Sequence, residues 1–174
     1  MKTKIIELYE YSELSKEAQE KALNKWDETN DDPMMQSHMI NLLKEKLDDL
    51  KIKYNVDSID VRYSLSFSQG DGFMFIGKIM WREKDIRKKI LELVEITITH
   101  NNSRYYHMRT ANFDYDGLSD AEFKQFEAVY EAICREMERI GYAEIEYQQS
   151  EVHFEEVCDS MGYTFRVNGV MENA

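Results

Sequence analysis

Alternating apolar and polar residues dominate the middle of the chain. In residues 59–67 every second residue is apolar, which is typical of a strand with one buried face. In residues 73–81 both faces are largely apolar, which indicates a more central strand. The stretch between them reads SQGDG over residues 68–72. Because glycine adopts positive φ without steric cost, this stretch predicts a tight turn and the whole segment a β-hairpin.

A second alternating segment follows at residues 94–99. A polar turn at residues 101–103 and a return strand within 104–113 complete the pattern of a second hairpin. Short strands are expected near the two ends of the chain, at residues 4–9 and 163–167.

Helical periodicity marks three longer stretches, at residues 16–29, 33–50 and 119–140, where apolar residues recur three and four positions apart. Ser15 is the expected N-cap of the first helix, and residues 119–122 form a capping box for the third. Gly141 is expected to kink or end that third helix, and Ser150 to cap a final short one.

These elements do not alternate as regular strand–helix–strand units, which argues against a doubly wound parallel sheet. We therefore predict an α+β fold. Its antiparallel sheet consists of the two hairpins plus short terminal strands, and the helices pack mainly on one face. With one proline and no low-complexity linker, residues 1–174 are expected to form a single domain.

The composition is that of a globular chain, with 43% apolar and 32% charged residues. No apolar run approaches the roughly 20 residues that a membrane span needs, and the first residues do not form a signal peptide. Cys134 and Cys158 lack paired metal-binding spacing and are interpreted as reduced thiols within helices. The expected location is therefore the cytoplasm, with no membrane partner.

The net charge of −12 is unevenly distributed along the sequence. Residues 1–110 carry 19 acidic and 18 basic residues, whereas residues 111–174 carry 15 acidic and four basic residues. Such a field repels nucleic acid and favours a basic protein partner. The predicted partner-binding acids are Asp114, Asp116, Asp120, Glu127, Glu131, Glu138, Glu144 and Glu146.

Candidate chemistry outside these acids is sparse. Gln69 and Asp71 at the hairpin tip are candidate contact residues, but the lysine and hydroxyl residue of a phosphate-binding loop are absent. His100 and His107 face each other across the predicted second hairpin without a clear third metal ligand. Residues 114–117 match the start of a calcium loop, yet Leu118 occupies its fifth position. No catalytic residue, metal or cofactor is predicted.

Three segments together resemble a known family. They read ELSKEAQEKA at residues 13–22, SLSFSQGDG at 64–72 followed by FIG at 75–77, and YYH at 105–107. In order and spacing they are similar to a family of small acidic bacteriophage and prophage proteins. Most members are uncharacterised, and some are labelled antitoxin-like. The chain departs from the family pattern at Phe67, where a tryptophan or tyrosine is expected, and in a shorter linker between the hairpins.

The resemblance implies a phage-encoded accessory protein that acts in the bacterial cytoplasm, and it carries over no catalytic residue. Together with the acidic last third, it leads to the hypothesis of a non-enzymatic anti-defence inhibitor. By mimicking nucleic acid, its acidic face would occupy the basic groove of a host protein such as a CRISPR complex or a restriction nuclease.

Three alternatives stay open. The first is an antitoxin that neutralises a basic toxin through the same acidic face. The second is a small hydrolytic enzyme that uses Gln69, Asp71, His100 or His107 in a pocket. The third is that the acids form only a solvated surface without a partner.

Overall fold

The computed structural model describes residues 7–27, 35–84 and 91–172. The chain divides into two compact units. Residues 33–142 form one, here called the central unit, and residues 1–32 with 143–174 form the other, the terminal unit. The expectation of one domain over residues 1–174 stays a prediction. Residues 33 and 34, where the second helix is predicted to begin, and residues 4–6 of the strand predicted at 4–9 lie outside the described residues.

The central unit contains an antiparallel sheet, which confirms the predicted α+β class. Its order is β1-β3-β4-β5, and β2 also pairs with β3. All of these pairs are antiparallel, and β3 lies between β1 and β2 on one side and β4 on the other. The central position predicted for the second strand is therefore confirmed. The strands are β1 (Lys53–Tyr54), β2 (Asp60–Ser64), β3 (Gly72–Lys84), β4 (Leu91–His100) and β5 (Ala111–Tyr115).

Two helices pack on this sheet. Helix α2 (Met35–Asp49) contacts β1 and β2, and it buries Met35, Met39, Leu43 and Leu47. The buried face of the longer helix α3 (Asp120–Gln148) meets an aromatic group of the sheet. The ring of Phe126 lies 5.4 Å from those of both Phe113 and Trp81, and the Tyr130 hydroxyl donates to the carbonyl of Phe75 at 3.1 Å.

The terminal unit is built from short elements that are far apart in the sequence. They are a 3-10 helix at Tyr11–Glu13, helix α1 (Lys16–Asp27) and helix α4 (Glu151–Met161). In the described part of the predicted terminal strands, isolated bridges join Phe165 to Tyr9 and to Met171. The first helix was expected on the sheet, but its buried residues belong to the core of the terminal unit. That core consists of Tyr11, Leu14, Ala18, Ala22, Phe154, Cys158 and Phe165.

The predicted helix starts are confirmed by their hydrogen bonds. The hydroxyl of Ser15 accepts from the amide of Ala18 at 3.3 Å, and that of Ser150 accepts from the amide of His153 at 3.2 Å. At the start of α3, the Ser119 amide donates to the Glu122 carboxylate at 2.9 Å. The Glu122 amide donates in turn to the Ser119 hydroxyl at 3.4 Å.

Gly141 was expected to kink or end α3, and the prediction of a helix end is wrong, whereas a kink stays a prediction. The helix continues through it to Gln148. A Cβ at this buried position would collide with the Cδ1 atom of Leu65, and it would lie 3.4 Å from the Cε atom of Met39. The glycine therefore lets the helix approach the hairpin loop closely, at some cost in helix propensity.

Both hairpins have longer connections than predicted. Strand β2 ends at Ser64, so the segment up to Asp71 is a loop. Phe67 does not extend the apolar face of the strand, since it adopts φ of 56° and is 64% exposed. In the second hairpin the return strand begins at Ala111, because Met108–Thr110 form a 3-10 turn.

Candidate functional site

Four of the predicted partner-binding acids form an acidic stripe on α3, outside its buried face, and these are Asp120, Glu127, Glu131 and Glu138. Asp120 and Glu127 are exposed, and Glu131 and Glu138 are half-buried. Glu131 forms an ion pair with Arg135, one helical turn later, at 3.0 Å. The charge of Glu131 is therefore neutralised locally, whereas Asp120 and Glu127 are exposed.

Asp114 does not extend this stripe. It pairs with Thr97 in the β4–β5 ladder, while its neighbour Tyr115 stacks on Phe123 of α3 at 4.7 Å. Since side chains alternate between the two faces of a strand, Asp114 points to the face away from α3. That face is polar and includes an ion pair between Lys78 and Glu95 at 2.9 Å. Asp116 is exposed just beyond the end of β5.

Glu144 and Glu146 belong to the terminal unit, in the last turns of α3. They lie in a stretch without lysine or arginine, residues 143–161, which also includes α4. Five of the six acids in this stretch are exposed, and the sixth, Glu144, is half-buried and accepts a hydrogen bond from the Gln148 side-chain amide at 3.1 Å. We call this group the acidic corner, made of Glu144, Glu146, Glu151, Glu155, Glu156 and Asp159.

Two tyrosines donate to acids of this corner. The Tyr147 hydroxyl donates to Glu156 at 2.6 Å, and this hydrogen bond raises the pKa of Tyr147. The Tyr11 hydroxyl donates to Glu151 at 3.4 Å, and burial, followed by the charge of Glu151, raises its pKa. Glu151 and Glu156 therefore have structural roles in addition to their charge.

The hairpin tip is organised by the carboxylate of Asp71. Its Oδ2 atom accepts from the amides of Ser66 and Ser68 at 2.7 and 2.9 Å, and from the Tyr142 hydroxyl at 2.8 Å. Its Oδ1 atom lies 3.0 to 3.2 Å from the hydroxyls of Ser64, Ser66 and Ser68. A side chain rather than a β-ladder thus fixes the loop.

These contacts shift the pKa values of Asp71 and Tyr142 in opposite directions. Desolvation is the largest influence on Asp71 and raises its pKa. The hydrogen bonds from Ser68, Tyr142 and Ser66 together outweigh it and hold that pKa well below its usual range. Burial, followed by the hydrogen bond to Asp71, raises the pKa of Tyr142 to about 12. Asp71 is therefore an internal anchor, whereas the neighbouring candidate Gln69 is exposed.

The loop of the second hairpin packs against this tip. Gly70 has φ of 102°, which confirms the prediction that a tip glycine adopts positive φ. A Cβ at Gly70 would lie 2.6 Å from the Cε1 atom of Tyr105. At Gly72 it would lie 2.6 Å from the Cδ2 atom of His107. The two glycines therefore provide the space in which the loops meet.

The two histidines have roles within that second loop. A ring nitrogen of His100 lies 3.1 Å from the carbonyl of Tyr105, and the Nδ1 atom of His107 accepts from the amide of Arg109 at 3.1 Å. Within residues 7–27, 35–84 and 91–172, no group of three or more His, Cys, Asp or Glu side chains is placed to hold a metal ion.

Sequence reasoning missed two features of the tip. Tyr142 was not linked to Asp71, and no local signal links them, because 71 residues separate the two. The exposure of Phe67 was also missed, since its spacing matched the preceding strand. A serine at every second position, 64, 66 and 68, followed by Asp71 was a usable signal for a side-chain-capped loop.

Comparisons with protein-family models, curated proteins and solved structures found no match to this chain. Among the described residues, none of the helices is long and apolar enough to cross a membrane.

Proposed function

We propose that the protein is a non-enzymatic binding protein that engages a basic surface of a nucleic-acid-handling protein through its acidic corner. The observation that carries this proposal is the run of six carboxylates over residues 143–161 without an intervening lysine or arginine. The resemblance to phage accessory proteins favours a host nuclease or nucleoprotein complex as the partner, and inhibition by nucleic-acid mimicry as the mode.

The physical basis is competition for phosphate-binding sites. A groove that binds nucleic acid gains much of its affinity by neutralising phosphates with lysine and arginine. Closely spaced carboxylates on a folded surface can occupy the same cations. Individual exposed charges contribute modestly, but several that face one basic groove raise the association rate and make binding strongly salt-dependent.

The sharpest test uses three exposed acids of the corner, Glu146, Glu155 and Asp159. Their carboxylates accept no hydrogen bond from the part of the chain that the structure describes. The full-length protein and the triple variant E146K/E155K/D159K would each be used to retain proteins from a bacterial lysate. Binding of the retained partner would then be measured at 50 and 300 mM NaCl. We expect the triple variant to weaken binding at least tenfold at low salt, and high salt to weaken the wild type similarly.

A matched control reverses three exposed acids outside the corner, Glu20, Glu45 and Asp57, and changes the net charge by the same amount. This variant should bind the partner within about threefold of wild type. Equal losses in both triple variants would indicate a general charge effect and contradict the acidic-corner model. Affinity that responds to neither salt nor charge reversal would also contradict it.

An antitoxin that binds a basic toxin is the second candidate, because the same corner and the same physics would serve it. Co-expression separates the two. An antitoxin restores growth to cells that produce the toxin, whereas a nuclease inhibitor restores plaque formation to phage that the nuclease restricts.

A further inference from the structure

The hairpin tip carries an exposed aromatic surface that the acidic corner does not explain. Phe67 is 64% exposed, Tyr105 48% and Tyr106 39%. Phe67 belongs to the loop that Asp71 anchors, and its ring lies 4.7 Å from that of Tyr142. Tyr105 lies against Gly70 of the same loop. We call this surface, formed by residues 65–71 and 101–109, the tip platform.

The backbone of the tip platform is held in an unfavourable conformation. Phe67 has φ of 56°, a region that residues with a Cβ rarely adopt. The hydrogen bonds to Asp71 maintain this conformation. Phe67 is therefore held largely exposed, and its ring packs on Tyr142 rather than in the buried core of this unit.

The composition of the two loops matches that of protein-binding loops. They consist largely of Ser, Gly, Asn, Tyr and Arg, with Phe67 as an apolar anchor. Tyrosine and phenylalanine supply contact area at low entropic cost, and the small polar residues supply adaptable hydrogen bonds. Tyr and Arg are also enriched among the residues that dominate binding energy at protein interfaces.

The charge of the tip platform indicates the chemistry of its partner. Its acidic residue, Asp71, is occupied by donors from within the unit. Arg104 and Arg109 are exposed and form no ion pair with another residue in the described part of the chain. The tip platform therefore presents positive charge on a protein of net charge −12. That overall charge disfavours nucleic acid as the occupant.

We infer that the tip platform is a second protein-binding surface, whose partner is a peptide segment that packs a large apolar side chain against Phe67 and places carboxylates beside Arg104 and Arg109. This surface is independent of the acidic corner and calls for a partner segment of opposite charge. Asp71 and Tyr142 act as positioning residues, because they hold the loop without facing the partner.

A displayed library of random 12-residue peptides provides a defined probe. The full-length protein would be the bait, and the double variant F67S/R104E would be used to remove peptides that bind elsewhere. We expect enriched peptides to combine Asp or Glu with a large apolar residue. Their affinity, measured by fluorescence anisotropy, should fall at least tenfold in F67S and in R104E.

The matched controls are V56S, which removes another exposed apolar side chain of the central unit, and R139E, which reverses another exposed arginine. Both should bind the peptides within about twofold of wild type. Asp71→Asn should weaken binding while circular dichroism shows the fold retained, which separates positioning from loss of structure. The E146K/E155K/D159K variant should bind the peptides normally, whatever the fate of the acidic-corner proposal.

Four results would overturn the inference. The first is that no peptide binds the wild type better than the F67S/R104E variant, and the second is that the enriched peptides are basic. The third is that a labelled oligothymidine binds and that F67S abolishes this binding. The fourth is a concentration-dependent dimer that F67S dissociates, which would show that a second copy of the chain occupies the tip platform.

Discussion

The central and terminal units differ in length and in the balance of acidic and basic residues. The central unit spans 110 residues and balances 18 acidic residues with 16 basic ones. The terminal unit spans 64 residues and sets 16 acidic residues against six basic ones, so it carries −10 of the net charge of −12. It is also closed by segments more than 100 residues apart in the sequence, which costs loop entropy. The excess negative charge is therefore concentrated in the smaller unit, which has the smaller hydrophobic core to offset the repulsion between its acidic residues.

The largest expected effect comes from truncating the core of the terminal unit. Phe154 is fully buried, and its ring lies 5.0 Å from Tyr11 and 5.3 Å from Trp26. Phe154→Ala should cost about 3–5 kcal/mol, the usual range for a buried phenylalanine. In hydrogen exchange measured by mass spectrometry, α1 and α4 should lose protection while β3 and β4 keep theirs.

Phe126→Ala is the matched change in the central unit, where Phe126 is equally buried. Its cost in free energy of unfolding should be similar, but the loss of protection should appear in the sheet. If either variant accelerated exchange equally in both units, they would unfold as one, and the single-domain prediction would gain support.

A smaller effect is expected at one glycine in each unit. Gly77 has φ of 131°, and a Cβ there would lie 2.6 Å from the carbonyl oxygen of Ser58. Gly169 has φ of 79°, and a Cβ there would collide with the carbonyl oxygen of Ala18. Alanine at either position should destabilise the protein by about 2 kcal/mol, because backbone strain adds to the close contact.

Gly117 is the control for strain alone, since it has φ of 90° and a Cβ there would meet no atom within 4 Å. Gly117→Ala should cost about 1 kcal/mol. Chemical denaturation of the three variants checks the order, and a Gly117 variant as unstable as the other two would rule out the contribution of close contact.

The smallest expected effect is confined to the tip of the central unit. The pKa of Asp71 is lowered by folding, so its contribution to stability is present above about pH 4, the usual value for an aspartate, and is lost as pH falls through the lower folded value. In NMR spectra the amide shifts of Ser66 and Ser68 should stay constant from pH 7 to 4 and move only at lower pH. Movement centred near pH 4 would contradict the proposed network.

The helix caps could be predicted because each is a local event. Ser15, Ser119 and Ser150 act within three residues of their own positions, so the sequence pattern contains the whole interaction. Residues 73–81 likewise predicted a central strand, because apolar residues on both faces of a strand indicate that both faces are buried.

Contacts between distant segments could not be predicted from the local sequence. Gly141 was expected to kink or end the helix, because the sequence does not show that the side chain of Leu65 lies against this position. Asp71 read as a free tip residue, because one of its donors is Tyr142. The acids of residues 111–174 read as one surface, but they are divided between two units, and Asp114 faces away from α3. The acidic corner and the phage-like resemblance stay predictions.

Each unit contains one buried cysteine whose reactivity reports how often that unit opens. Cys134 is buried in the central unit and Cys158 in the terminal unit, and both are free. Burial raises the pKa of Cys134 to about 12 and that of Cys158 to about 11, so neither thiol reacts readily while it is covered. A thiol reagent can therefore modify each cysteine only when its own unit opens. The mass of the two labelled peptides over time would report two opening rates from one unmodified chain.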